Sequence, residues 1–135
     1  MRAGAVEVAC MDEMPKILIV DDEERQRKTL CIALRLDGFD VECAGSAQDA
    51  LQILEHGPYD LAIVDLMMPG VNGLDLARQV QRLFPQVKVV LTSAYHLSER
   101  QLVRAGCGAV GFVPKPYRMS ELVAFLKSKT SCALA

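Results

Sequence analysis

The sequence predicts a doubly wound α/β domain, in which helices pack on both faces of a five-stranded parallel sheet. Three observations lead to this fold class. Short apolar runs alternate five times with longer segments of helical periodicity, which is typical of consecutive βα units. The apolar runs contain few polar residues, as expected for strands that are buried on both faces. A chain of 135 residues is also long enough to bury one hydrophobic core.

The predicted strands are short, apolar and each followed by a helical segment. They are Ile17–Val20, Val41–Ala44, Leu61–Val64, Val87–Leu91 and Gly111–Val113. Since parallel neighbours need a crossover connection, the intervening helices must cover the faces of the sheet.

The predicted helices show apolar residues three and four positions apart. The first covers about Glu24–Asp37, the fourth covers about Leu97–Ala105, and the others carry apolar stripes at Ala50–Leu54, Leu74–Leu83 and Leu122–Leu126. Ser46 with Asp49 is the capping pair of the second helix. A loop containing Pro69, Gly70 and Gly73 precedes the third helix. The expected helix ends are marked by Gly38, Gly57-Pro58, Pro85 and Gly106.

One domain is expected to cover residues 15–129, between an N-terminal leader at 1–14 that is expected to be disordered and a C-terminal tail at 130–135. Met11 and Met14 are alternatives to Met1 as the true start. No apolar run approaches the roughly 20 residues of a membrane-spanning helix, so we expect no membrane partner and a cytoplasmic location. Five scattered cysteines without a C-x-x-C pair favour reduced thiols.

The charge is distributed unevenly along the chain. Residues 1–75 carry six Lys/Arg against 15 Asp/Glu, whereas residues 76–135 carry nine against two. This asymmetry predicts an acidic site on one part and a basic surface on another. The net charge of −2 and the lack of a basic groove with interleaved aromatics argue against nucleic-acid binding by this domain.

Chemically active side chains follow four of the five predicted strands. They are Asp21-Asp22, Asp65, Ser93 and Lys115-Pro116. Because ligands bind beyond the carboxyl ends of parallel strands, these side chains should converge in one crevice. Clustered carboxylates repel unless a cation holds them, and a few oxygen ligands suit magnesium. A hydroxyl and an ammonium suit phosphoryl oxygens. The sequence therefore predicts Mg²⁺-dependent phosphoryl transfer to an aspartate.

At these residues the sequence resembles the receiver domain of two-component response regulators, which has a flavodoxin-like fold. The resemblance covers about residues 15–129. It rests on four motifs that occur in order, each at a predicted strand end: Val20-Asp21-Asp22, Asp65 to Gly73, Ser93-Ala94 and Lys115-Pro116.

The resemblance implies a role for each site residue. Asp65 would be the phospho-acceptor, and Lys115 would pair with the phosphoryl group. Asp21, Asp22, Asp65 and the backbone carbonyl of Met67 would bind Mg²⁺.

Other residues would form the switch and tune the phosphoryl lifetime. Ser93 takes the switch position rather than Thr92, because Ala94 follows it and strand alternation sends Thr92 to the other face. Phe112 occupies the position of the rotating switch aromatic. Met67 and Tyr95 occupy the variable positions that tune the lifetime.

The same resemblance implies the partners. A sensor histidine kinase or phosphotransfer protein would supply the phosphoryl group. An output domain or target protein would bind the surface of the fourth helix, fifth strand and fifth helix, and phosphorylation would favour a homodimer. The domain would be no enzyme beyond its own phosphorylation and slow dephosphorylation.

Two other functions are open to a chain of this architecture. An aspartyl-phosphate phosphatase shares the Asp nucleophile and Mg²⁺. That class has the pattern Asp-x-Asp at its nucleophile, whereas Leu66-Met67 follow Asp65 here. A flavin-binding or purely structural module of the same architecture is the second alternative, but the chain lacks a Ser/Thr/Gly-rich phosphate loop after the first strand, where Asp21 to Glu24 would repel a phosphate. An aryl phosphate turnover assay and the colour of the purified protein separate these alternatives.

Overall fold

The computed structural model describes residues 15–68, 71–94, 98–106 and 108–130. Within them, five strands form one parallel sheet: β1 Lys16–Val20, β2 Asp40–Ala44, β3 Leu61–Asp65, β4 Lys88–Ser93 and β5 Gly111–Pro114. The helices of the same residues are α1 Glu24–Leu36, α2 Ala47–Glu55, α3 Gly73–Leu83, α4 Glu99–Ala105 and α5 Met119–Thr130. The predicted doubly wound α/β fold is confirmed.

The strand order shows where the switch point of the sheet lies. It is β2-β1-β3-β4-β5, with every neighbouring pair parallel. The order therefore changes direction between β1 and β3, and the crevice beyond their carboxyl ends is where ligands bind in open α/β sheets. Asp21 follows β1 and Asp65 ends β3, so both acids lie at this switch point.

Side-chain alternation along the strands builds one core on each face of the sheet. Leu18, Val64 and Leu91 pack with α2 and α3 residues, whereas Ile19, Ile63 and Val90 pack with α1 and α5 residues. Both faces of β1 and β3 are thus apolar, which explains their continuous hydrophobic runs. Asp21 and Asp65 continue these strands and are among the few buried polar residues of the described chain.

The chain between β3 and α3 differs from the predicted loop. Met67–Met68 pairs antiparallel with Val71–Asn72 as a two-residue ribbon. The assignment of Gly73 to the loop was wrong, because Gly73 is the first residue of α3. The side chain of Asn72 starts this helix by accepting a hydrogen bond from the Leu74 N–H at 2.9 Å. Pro69 and Gly70 lie outside the described residues.

The fourth strand is longer than the sequence predicts. It ends at Ser93 instead of Leu91, because backbone pairing continues from Thr92 to Asp65 and from Ser93 to Pro114. Ser46 is confirmed as the N-cap of α2, since its side chain accepts from the Asp49 N–H at 3.1 Å. The fourth helix begins at Glu99 and not at Leu97, because Ser98 is its N-cap and accepts from the Gln101 N–H. The leader at 1–14 lies outside the described residues, as does 131–135 of the tail.

Three of the cysteines, Cys10, Cys107 and Cys132, lie outside the described residues. Cys31 and Cys43 are free thiols, as expected. Burial and the neighbouring Cys31 raise the pKa of Cys43 to about 12, so this thiol stays protonated at neutral pH.

Gly73 is required by the close approach of α3 to the end of β3. A Cβ at this position would lie 2.6 Å from Leu66 Cα and 2.9 Å from the Asp65 carbonyl oxygen. We expect Gly73→Ala to lower the free energy of unfolding by about 1–3 kcal/mol, since backbone must move to admit the methyl group. Urea unfolding measures this change.

Gly57→Ala is the matched control, because its Cβ would meet only side-chain atoms at 3.8 Å or more. It should change stability by less than about 0.5 kcal/mol. Equal stability of the Gly73→Ala variant and the parent would contradict the close approach.

Candidate functional site

Asp21 is fixed at the end of β1 by its backbone and its carboxylate. The Asp21 N–H donates to the Ala44 carbonyl at 3.1 Å, and its own carbonyl accepts from the Arg27 guanidinium at 2.6 Å. Asp21 Oδ1 accepts from the Glu23 N–H at 2.9 Å. Oδ1 is thus bonded within its own turn, whereas Oδ2 is left for contacts in the crevice.

Asp65 is held in the same way at the end of β3. Its Oδ1 accepts from the Met67 N–H at 2.9 Å, and the following Leu66 N–H donates to the Thr92 carbonyl at 2.9 Å. The residue is only 7% exposed. A buried carboxylate with one oxygen tied to its own turn is oriented for chemistry at the other.

The three predicted acids form one cluster. Asp21, Asp22 and Asp65 each offer a carboxylate oxygen, and these oxygens all lie within 4.8 Å of one another. Asp21 and Asp65 are buried, whereas Asp22 is exposed at the mouth of the crevice. Hard oxygen donors, with one side open to water, fit the coordination preferences of Mg²⁺.

Lys115 brings the one ammonium that contacts this cluster within the described residues. Its Nζ lies 3.2 Å from Asp65 Oδ2 and 3.5 Å from Asp21 Oδ2. The backbone N–H of Lys115 donates to the Ser93 carbonyl at 2.8 Å, which fixes the chain at the end of β5 beside β4. The predicted convergence is confirmed for Asp21-Asp22, Asp65 and Lys115, which follow three of the strands.

The pKa shifts reflect an excess of negative charge in a partly dry crevice. Burial raises the pKa of Asp21 against the opposing Glu23 N–H and Lys115 charge, and Asp65 adds to the rise. Desolvation alone would lower the pKa of Lys115, but Asp21 and Asp65 outweigh it and raise that pKa. The site therefore favours the charged form of Lys115 and disfavours ionisation of Asp21, which is the electrostatic setting for a bound cation.

Ser93 and Phe112 lie on neighbouring strands at this end of the sheet. Ser93 ends β4 and is 1% exposed. Side-chain alternation along β4 places Leu91 on the sheet face that α2 and α3 cover. Phe112 is half-buried against the same core. Ser93, two residues after Leu91, therefore shares a face with Phe112, while Thr92 shares the opposite face with Val90.

Of the two residues predicted to tune the phosphoryl lifetime, the structure describes Met67. Met67 lies at the mouth of the site, 51% exposed, and its backbone N–H contacts Asp65. Tyr95 lies outside the described residues.

Sequence reasoning missed two polar residues of α1 that contact the site. Gln26 Oε1 accepts from Lys115 Nζ at 2.7 Å, and Arg27 Nη1 donates to the Asp21 carbonyl. Both contacts lie one turn into a helix that follows the acidic pair. The sequence gives no signal for either contact, because helical periodicity alone does not say which polar residues turn back toward a strand end.

Fold and site together define an α/β protein with an acidic crevice and a lysine at the switch point of a parallel sheet. The chain belongs to the response regulator receiver domain family, whose model matches residues 17–127. It is a receiver domain of the response regulators of two-component systems, as the sequence motifs predicted.

Individual relatives agree with this family. The chain is 34% identical over 115 residues to the sensory transduction protein RegX3 of Mycolicibacterium smegmatis, covering 85% of this chain and 50% of that relative. It spans between 24% and 51% of the length of other curated relatives that it matches.

Solved structures show the same fold. A CheY-like response regulator receiver domain from Methanospirillum hungatei superposes with a TM-score of 0.80 at 27% identity, over 87% of this chain and 94% of that one. Response regulator TrrA of Thermotoga maritima, in complex with Mg²⁺ and BeF, gives 0.76 at 32% identity, over 86% and 99%.

Proposed function

We propose that this receiver accepts a phosphoryl group on Asp65 from a phosphohistidine of a sensor histidine kinase or phosphotransfer protein. The observation that carries the proposal is the 3.2 Å contact between Lys115 Nζ and Asp65 Oδ2 in a buried acidic crevice. The oriented carboxylate supplies a nucleophile, and the neighbouring ammonium supplies a partner for phosphoryl oxygens.

In the transfer, a carboxylate oxygen of Asp65 attacks phosphorus, the phosphorus–nitrogen bond of phosphohistidine breaks, and an acyl phosphate forms. The leaving imidazole regains a proton from solvent. Lys115 stabilises the charge on the phosphoryl oxygens, because its ammonium already lies next to Asp65. The Met67 N–H keeps the carboxylate from rotating.

Asp21, Asp22 and Asp65 are proposed to hold Mg²⁺ together with the backbone carbonyl of Met67. The clustered oxygens and the open side at Asp22 support this assignment, as does the Mg²⁺–BeF complex of the related TrrA. When bound, the ion supplies positive charge that neutralises the phosphoryl oxygens.

Magnesium should stabilise the parent protein, since the ion binds the folded cluster and not the unfolded chain. At about ten times Kd the gain is about 1.4 kcal/mol, or roughly 3–6 °C in melting temperature. Asp22→Ala should abolish this response and change the metal-free melting temperature little, because Asp22 is exposed. The shift in melting temperature is measured by thermal unfolding in MgCl₂ and in NaCl of equal ionic strength.

Glu55→Ala, which removes an exposed acid at the end of α2, is the matched control and should keep the full response. A parent that melts at one temperature with and without MgCl₂ would contradict the metal site.

The output is proposed to run from Ser93 to the α4-β5-α5 surface. The acyl phosphate would draw the Ser93 hydroxyl toward a phosphoryl oxygen, and Phe112 would pack into the space that Ser93 leaves. Half-burial of Phe112 supports a side chain with two positions. Such a two-state shift reshapes α4 and α5 for an output domain, a target protein or a second copy of this chain.

The domain is proposed to act in the cytoplasm as a signalling module and not as an enzyme with turnover. None of the described helices has the length and apolarity needed to cross a bilayer. Met67 and Tyr95 are proposed to limit access of water to the acyl phosphate, which sets its lifetime.

The test of this function is incubation of the purified protein with acetyl phosphate and MgCl₂, followed by intact mass measurement. We expect one added phosphoryl group and no sustained release of phosphate from an aryl phosphate. Sustained turnover would favour an aspartyl-phosphate phosphatase instead.

A further inference from the structure

The shortest contact of the Lys115 ammonium is made to a neutral side chain and not to an acid. Gln26 Oε1 accepts from Lys115 Nζ at 2.7 Å, whereas the two carboxylate contacts measure 3.2 and 3.5 Å. These three oxygens match the three N–H groups of an ammonium. Gln26 thus completes the set of acceptors around Lys115, although it comes 89 residues earlier in the chain.

We propose that Gln26 is a positioning residue that holds the Lys115 ammonium at Asp65 for phosphoryl transfer; this inference rests on the proposed function of Asp65. A lysine side chain is a flexible four-carbon stem, and holding it in one place removes orientational freedom before the reaction. A neutral amide does so without adding negative charge that would repel an incoming phosphoryl group.

Both ends of this hydrogen bond are anchored. The Lys115 N–H donates to the Ser93 carbonyl, so the lysine starts from the edge of β4. The next residue after Gln26, Arg27, donates to the Asp21 carbonyl at 2.6 Å and ties α1 to the end of β1. The buried α1 residues Leu30 and Leu34 fix the same helix against the sheet. The amide of Gln26 is therefore presented from a fixed backbone.

The test replaces Gln26 by Met, which has similar length and no strong acceptor. We expect Gln26→Met to slow labelling of Asp65 by acetyl phosphate roughly three- to tenfold at fixed Mg²⁺, as for loss of one hydrogen bond. The Kd for Mg²⁺ should not change, since Gln26 contacts no carboxylate among the described contacts. Gln79→Met, on the exposed side of α3, is the matched control and should label at the parent rate.

A double-mutant cycle separates positioning of Lys115 from a general effect on the fold. In a Lys115→Met background, where labelling is slower and is followed over longer times, Gln26→Met should cause no further loss. Both Gln26→Met proteins should melt within about 3 °C of their backgrounds, because Gln26 is exposed.

Parent-like labelling of the Gln26→Met variant would overturn the positioning role and leave the function of Asp65 intact. An equal loss in the presence and absence of Lys115 would also overturn it, since Gln26 would then act by another route. A parent protein that acquires no phosphoryl group would overturn the proposed function itself and the positioning role with it.

Discussion

Asp65→Asn should abolish labelling of this protein by acetyl phosphate and Mg²⁺. A neutral amide is not a nucleophile toward phosphorus, so the reaction loses its acceptor and not only part of its rate. The substitution keeps the shape of the side chain, and the amide oxygen can still accept from the Met67 N–H. Lys115 retains Asp21 as its ionic partner. The variant should therefore fold and fail in phosphoryl transfer.

Intact mass after a time course of acetyl phosphate treatment measures this result. Asp40→Asn, at an exposed position of β2, is the matched control and should be labelled as the parent is. A phosphoryl group gained by the Asp65→Asn variant at the parent rate would show that another residue is the acceptor.

Lys115→Met should have the second large effect, on both chemistry and stability. Loss of one preorganised donor to the phosphoryl oxygens should slow labelling by about 10²-fold. The same change leaves Asp21 and Asp65 without the cation that faces them, both of them buried. Removing one partner of a buried pair costs up to about 3–5 kcal/mol, and the partial exposure of Lys115 reduces this to about 1–3 kcal/mol.

Urea unfolding with and without MgCl₂ measures the stability change. Since a divalent cation replaces the lost positive charge, Mg²⁺ should stabilise the Lys115→Met variant more than the parent. Lys127→Met removes an exposed lysine that pairs with Asp37 at 3.5 Å, and it should cost less than about 0.5 kcal/mol. Equal unfolding of the Lys115→Met variant and the parent in metal-free buffer would contradict the electrostatic account of the crevice.

The positions of Asp21, Asp65 and Lys115 were predictable because a parallel sheet brings every strand's carboxyl end to one edge. A residue that directly follows an apolar run is then placed by topology, without knowledge of any side-chain contact. The same argument holds for Ser93, even though the predicted strand ended two residues early.

Other features depend on contacts that periodicity does not encode. The Asn72 cap starts α3 at Gly73, and the close approach of the Leu66 backbone requires glycine at this first helical position. Gln26 is an exposed polar residue of α1, and its sequence position alone does not distinguish it from the other polar residues of that helix. Only the packing of α1 beside the end of β5 brings its amide to Lys115.

The most direct test of the central claim is to locate the phosphoryl group in the parent protein. Borohydride reduces an aspartyl phosphate to homoserine, and trypsin separates the peptide Leu36–Arg78, which contains Asp65, from Ile17–Arg25, which contains Asp21 and Asp22. Tandem mass spectrometry of the labelled and reduced protein should place homoserine at position 65. Homoserine at Asp21 or Asp22, or a phosphate that survives reduction on Ser93, would contradict the assignment of Asp65 as the phospho-acceptor.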